Sequence, residues 1–221
     1  MHPRMKLALL AFATAVLGAC GLMPSMSQNP MSFFVTSANP GKGADLGGLA
    51  GADAYCQKLA TSANAGRKNW RAYLSTTADG PSPAVNARER IGRGPWQNAM
   101  GMVVATSVDD LHGPGNKISK QTALTEKGEV VSGRGDPVNM HDILTGSTPD
   151  GRVATAAGDT TCGNWTRSGE GAAIVGHHDR TGLDESAPAK SWNASHATRG
   201  CGMDALKLTG SAGLFYCFAA N

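Results

Sequence analysis

The chain has little charge and few aromatic rings: charged residues make up 17% of its 221 positions and aromatics 5%. So little charge argues against a long disordered tail, which stays solvated through high charge and few apolar groups. The formal net charge is only +3. Arg4 and Lys6 lie in a segment expected to be removed, so the remainder carries +1. That leaves no net basic field to gather phosphates, and no nucleic-acid partner is expected. Beyond Leu17 no apolar run approaches the ~20 residues that span a bilayer. Close C-x-x-C pairs, H-E-x-x-H, G-x-S-x-G and the P-loop are absent, so no motif marks a zinc knuckle, redox dithiol, zincin, serine hydrolase or nucleotide site. Glycine and proline are plentiful, at 29 and 11 residues. This content argues against an all-helical bundle and leaves one loop-rich domain with short strands.

The amino terminus has a different character. His2, Arg4 and Lys6 precede an apolar stretch over 7–17, followed by Leu17-Gly18-Ala19-Cys20. A positive start, a short apolar core and small residues at the cut describe an export signal. The last four residues resemble a bacterial lipobox, which makes 1–19 a signal peptide and Cys20 the lipid-bearing first residue of the mature chain. Several acyl chains on one residue anchor stably where one does not. Residues 20–32 follow as the lipidated Cys and a tether, and 33–221 as the folded domain. Gly21 after Cys20, in place of Asp, favours the outer membrane of a bacterial envelope.

Four cysteines remain: Cys56, Cys162, Cys201 and Cys217. An even number in an exported chain implies two disulfides, with three connectivities open. Phe33-Phe34-Val35-Thr36 is β-prone, and Leu49, Ala52, Cys56, Leu59 and Ala60 fall at helical spacing. Residues 70–75 alternate as a strand does. A second helix is expected over 84–91, stopped by Gly92, Gly94 and Pro95. Strand-like runs recur at 102–105, 143–144 and 172–175, and 214–218 closes the chain as a buried strand. Between 109 and 211 turn residues dominate. A loop region this long is usually functional or pinned by bridges.

The order of these segments is informative. An opening strand, Gly47 to Gln57 (GGLAGADAYCQ) on the first helix, WRAYLS at 70–75, a long loop region, TCGNWT at 161–166, Gly200-Cys201 and the final LFYCF at 214–218 resemble bacterial secreted C-type lectin-like domains, relatives of the endostatin domain of collagens. The likeness extends over 31–221. It implies an α+β fold of two helices, short mixed sheets and a long loop region, with Cys56 bonded to Cys217 and Cys162 to Cys201. The sugar-binding members carry Glu-Pro-Asn or Gln-Pro-Asp and then Trp-Asn-Asp. Here neither Pro triplet occurs, and Trp192-Asn193-Ala194 stands nearest to the second motif. The resemblance therefore implies the fold more strongly than it implies calcium-dependent sugar binding.

Charge is unevenly spread. Residues 67–93 hold six bases against two acids, and 136–185 hold eight acids against three arginines. The basic stretch suits anionic glycans or phosphates as well as a solvated face. In the acidic one, Asp136, Asn139, Asp142, Asp150, Asp159 and Asp179 offer oxygen ligands to Ca2+, without EF-hand spacing. His177-His178-Asp179-Arg180 is the densest polar tetrad. With His112, His141 and His196 it could gather two or three imidazoles around a transition metal. Neighbours on a strand face opposite ways, so His177 and His178 are not expected to share one ion.

The expected ligand surface comprises Asp136, Asn139, Asp142, His178, Asp179, Trp192 and Asn193, with the Trp192 indole as an apolar platform for a sugar ring. The expected function is a lipid-anchored envelope module that recognises a glycan or a protein through its loops. The alternatives are a metal-dependent hydrolase of envelope polymers and a structural envelope subunit.

Overall fold

The computed structural model describes residues 29–155 and 158–220, with Met1. The signal sequence, Cys20 and the tether up to residue 28 lie outside the described residues. In chain order the elements are β1 (Phe33–Val35), α1 (Gly48–Ser62), β2 (Trp70–Ala72), a 3-10 turn (Ala87–Glu89), β3 (Trp96–Gln97), β4 (Val103–Ala105), α2 (Val108–His112), β5 (Asp142–Leu144), α3 (Cys162–Trp165), β6 (Ile174–His177), β7 (His196–Ala197), α4 (Met203–Lys207) and β8 (Ser211–Ala219). This is a mixed α+β architecture. No helix among the described residues is long and apolar enough to cross a membrane.

The closing strand organises everything else. β1 and β2 pair with β8 antiparallel, while β5 joins the first half of β8 in parallel. The sheet then continues through β6 and β7. A strand with neighbours on both sides and both faces covered reads as an unbroken apolar run, which accounts for Leu214 to Phe218. Its side chains alternate between two cores. Phe215 and Cys217 face the cluster built with α1, which includes Phe34, Trp70 and Trp165. Leu214, Tyr216 and Phe218 face a second cluster with Phe33, Tyr73, Trp96 and Trp192.

Both bridges join as the resemblance implies: Cys56 on α1 to Cys217 on β8, and Cys162 to Cys201 across the loop region. A salt-bridge network fastens α1 to β2. Asp53 accepts from Arg71 and Arg90, at 2.9 and 2.7 Å, and from the Ala72 amide at 2.9 Å.

Three expectations need correction. The second helix expected over 84–91 shrinks to one 3-10 turn, because the Ser75 hydroxyl and the Gly151 carbonyl capture the Ala87 and Arg88 amides. Instead of two helices, four helical segments occur among the described residues, of which Cys162–Trp165 is a single left-handed turn with positive φ throughout. The fold also begins before residue 33. Met31 is fully buried, and the Ser32 amide donates to the Gln97 carbonyl at 2.8 Å.

Candidate metal centre

Three short strands bring the site together. Asp142 opens β5 and lies opposite His177 on β6, so both side chains share one face of the ladder. His196 on β7 is the partner of Val175, two residues from His177 on that same face. His141 directly precedes β5. Gly176 allows the close approach. A Cβ there would run into the backbone of Trp192 and Asn193, which crosses β6 on its way to His196.

The side chains converge on one carboxylate oxygen. The Nε2 atoms of His141 and His177 each lie 3.2 Å from Asp142 Oδ1, and His196 Nε2 lies 3.4 Å from it. His177 Nε2 and His196 Nε2 are 3.1 Å apart. Zinc–ligand bonds of 2.0–2.2 Å at a tetrahedral centre put neighbouring ligand atoms about 3.3–3.5 Å apart. These four separations are close to that spacing. His141, Asp142 and His177 are the one group among the described residues with ligand atoms gathered tightly enough for a metal ion, and His196 extends it at the surface.

The outer nitrogens have partners of their own. His177 Nδ1 is 2.7 Å from the Ala189 carbonyl, His196 Nδ1 is 3.1 Å from the Ala197 carbonyl, and His141 Nδ1 is 3.2 Å from Asp179 Oδ1. Carbonyl and carboxylate oxygens only accept, so each Nδ1 is placed to donate and each Nε2 is the ring atom turned toward Asp142. Metal-ligating histidines are held by this kind of outer bond. Asp142 is fully buried, and neither of its oxygens has an aligned hydrogen-bond partner. A buried carboxylate is costly without positive charge beside it, and a cation held among these ring nitrogens would supply that charge.

Burial works against ionisation of Asp142, yet the surrounding imidazoles outweigh it and hold the carboxyl below its ordinary range. The Asp142 carboxylate raises His196 above the usual imidazole value, against the effect of burial. Burial likewise opposes ionisation of Asp179, but His141 and the Arg134 and Thr181 amides keep it well below the carboxylate range. The set opens onto a pocket of about 560 Å³ with His141, His177 and His196 among its lining residues.

Of the residues expected at the ligand surface, the structure brings Asp142 and Asp179 together and leaves the others apart. His178 turns away from His177, with its Nε2 3.3 Å from the Ser132 carbonyl. Asp136 is ion-paired with Lys120 at 2.6 Å. Asn139 caps the His141 amide at 3.2 Å.

Trp192 needs correction as a sugar platform. It is 4% exposed and packs against Tyr73, His112 and Tyr216. Asn193 is buried too, its amide donating to Tyr73 Oη and to the Thr148 and Pro149 carbonyls. Nor do the oxygen ligands considered for calcium assemble. Asp150 pairs with Arg152, and Asp159 accepts from the Thr161 and Gly163 amides. The nitrogen-rich set that does form suits zinc and its neighbours, where calcium prefers oxygen alone.

The expected surface left out His141, His177 and His196. Their separations in the chain follow no ligand spacing, and only their placement on adjacent strands identifies them. No protein-family model matches the chain, and a search of curated proteins finds no relative. Function is therefore argued from the site itself.

Proposed function

We propose that this protein is an exported binding module, held in a bacterial envelope through Cys20, whose working centre is a divalent transition metal of the zinc class. His177, His196, His141 and Asp142 hold the ion, and the pocket beside it receives the ligand. One observation carries this reading: three Nε2 atoms, each with its Nδ1 already committed as a donor, surround a buried carboxylate that has no aligned partner. Asp179 and the Ala189 carbonyl hold the imidazoles in position, which keeps the ligand set preorganised.

A C-type lectin-like architecture remains part of the proposal. Support comes from the bridge between the first helix and the last strand, the pairing of β1 with β8, and a loop region closed by its own bridge. Within this reading, the ligand would meet the metal pocket and not the Trp192 region. Binding is favoured over hydrolysis because Asp184, the carboxylate on the pocket wall, is exposed and accepts the Ser186 amide, a poor setting for a general base.

Calorimetric titration of zinc into chelator-treated protein tests the proposal. One equivalent is expected to bind, and to raise the unfolding free energy by about 4 kcal/mol at a free concentration a thousandfold above Kd. Asp142→Asn and His177→Ala should each weaken binding by 100-fold or more. Undiminished zinc affinity in both variants would refute the site.

A further inference from the structure

We propose that the metal, expanding to five-coordinate on its pocket-facing side, takes a carboxylate carried on an aliphatic stem. This rests on the metal reading above and concerns what the pocket receives. Arg134 and Arg199 both line the pocket and are exposed, and neither guanidinium has an ion-pair or hydrogen-bond partner among the described residues. The Arg134 backbone is fixed beside the site, since its amide donates to Asp179 Oδ2 at 2.7 Å, the carboxylate that also holds His141. Two unpaired guanidinium groups beside a metal make an anion site, and their forked donors match a planar carboxylate.

The charge balance selects among anions. A divalent ion with Arg134 and Arg199 supplies four positive charges, and Asp142, Asp179 and Asp184 supply three negative ones. One monoanion neutralises the pocket. A carboxylate meets that need, whereas inorganic phosphate, with its second ionisation near neutral pH, brings about one and a half charges and exceeds it.

The pocket wall specifies the remainder of the ligand. Leu183 and Leu208 line the same pocket and are 88% and 68% exposed. Large apolar side chains left in water beside a polar floor are the arrangement that binds an amphipathic small molecule. A headgroup on the metal between the two arginines would leave its aliphatic stem lying along these leucines.

Cobalt-loaded full-length protein provides the test, because its visible spectrum reports a new ligand on the metal. Hexanoate is expected to shift that spectrum and to bind at least tenfold tighter than acetate or phosphate, while hexanol leaves it unchanged. The double variant Arg134→Ala/Arg199→Ala should lose tenfold or more in hexanoate affinity with cobalt affinity unaltered. Leu183→Ser/Leu208→Ser should weaken hexanoate but not acetate. Comparing a leucine-terminated peptide with its amide separates the two sources of such a carboxylate. Tight binding of the free-acid peptide alone identifies a protein C-terminus, and failure of both peptides while hexanoate binds identifies a free organic acid. Cobalt uptake with no response to hexanoate, or with phosphate bound more tightly, would overturn this inference and leave the metal site standing. No cobalt uptake would overturn both.

Discussion

Two histidines outside the metal set make the protein acid-sensitive. Burial pushes His178 down to about 4 and lowers His112 as well. In the unfolded chain both would titrate near 6.5. A folded value below the unfolded one means that the unfolded state binds protons first. The stability contribution is therefore complete above about pH 6.5 and disappears as pH falls through the folded values. Denaturant titrations of chelator-treated protein should show on the order of 3 kcal/mol lost between about pH 6.5 and 4 from His178 alone. His112→Gln should flatten the upper part of that decline; an unchanged slope in this variant would show that His112 does not contribute. Zinc affinity should also weaken as pH falls, with the decline beginning above the ordinary imidazole range, because Asp142 raises His196 and a proton there competes with the proposed metal.

At the scale of elements, the site depends on how closely β6 and the approach to β7 can lie. Gly176 lets the Trp192–Asn193 backbone cross the strand, and that crossing delivers His196 to His177. Gly176→Ala should therefore destabilise the fold by about 2–4 kcal/mol, as backbone collisions in a core do, and weaken zinc binding by at least tenfold. Thermal unfolding and zinc calorimetry on this variant check both, and normal values would mean that the strands tolerate a wider spacing. The Cys162–Cys201 bridge spans the segment that contains β6 and β7. By loop-closure entropy it contributes about 4 kcal/mol, which offsets part of the freedom of a loop-rich segment.

For the whole molecule, Cys56–Cys217 joins residues 161 apart in sequence, a closure nominally worth about 5 kcal/mol. The strand it reaches carries both cores, so the bridge ties α1 to the centre of the sheet. The Asn29 side-chain amide donates from Nδ2 to the Ala63 carbonyl at 3.2 Å, while the neighbouring Lys68 ammonium holds the Pro30 and Met31 carbonyls. Residues 29–31 are thus clamped at the end of α1. If Cys20 bears lipid, Cys20→Ser should leave an unprocessed precursor or a protein that no longer enters the detergent phase, while the soluble fragment from Gln28 onward still binds zinc. Normal detergent partitioning of the variant would end the anchoring proposal.

Local chemistry made much of the scaffold legible. The helical spacing around Cys56 depends only on residues a few positions apart, so α1 appears where the pattern places it. The run from Leu214 to Phe218 has enough apolar character to require burial on both faces, and becomes the central strand. The even cysteine count limited the bridges to three patterns. Resemblance, and then the structure, selected one. The stretch over 84–91 has helical composition, but distant partners at Ser75 and Gly151 compete for its amides. Trp192 and Asn193 resemble a binding motif in sequence, yet in the fold they fill a core and fasten loops. The candidate metal centre was the least legible part. His141 and Asp142, His177, and His196 come from three strands far apart in the chain, and their meeting depends on register and on one missing Cβ at Gly176. Sequence determined which residues could bind a metal; only tertiary structure decided which of them meet, because long-range strand pairing leaves no periodic trace in the chain.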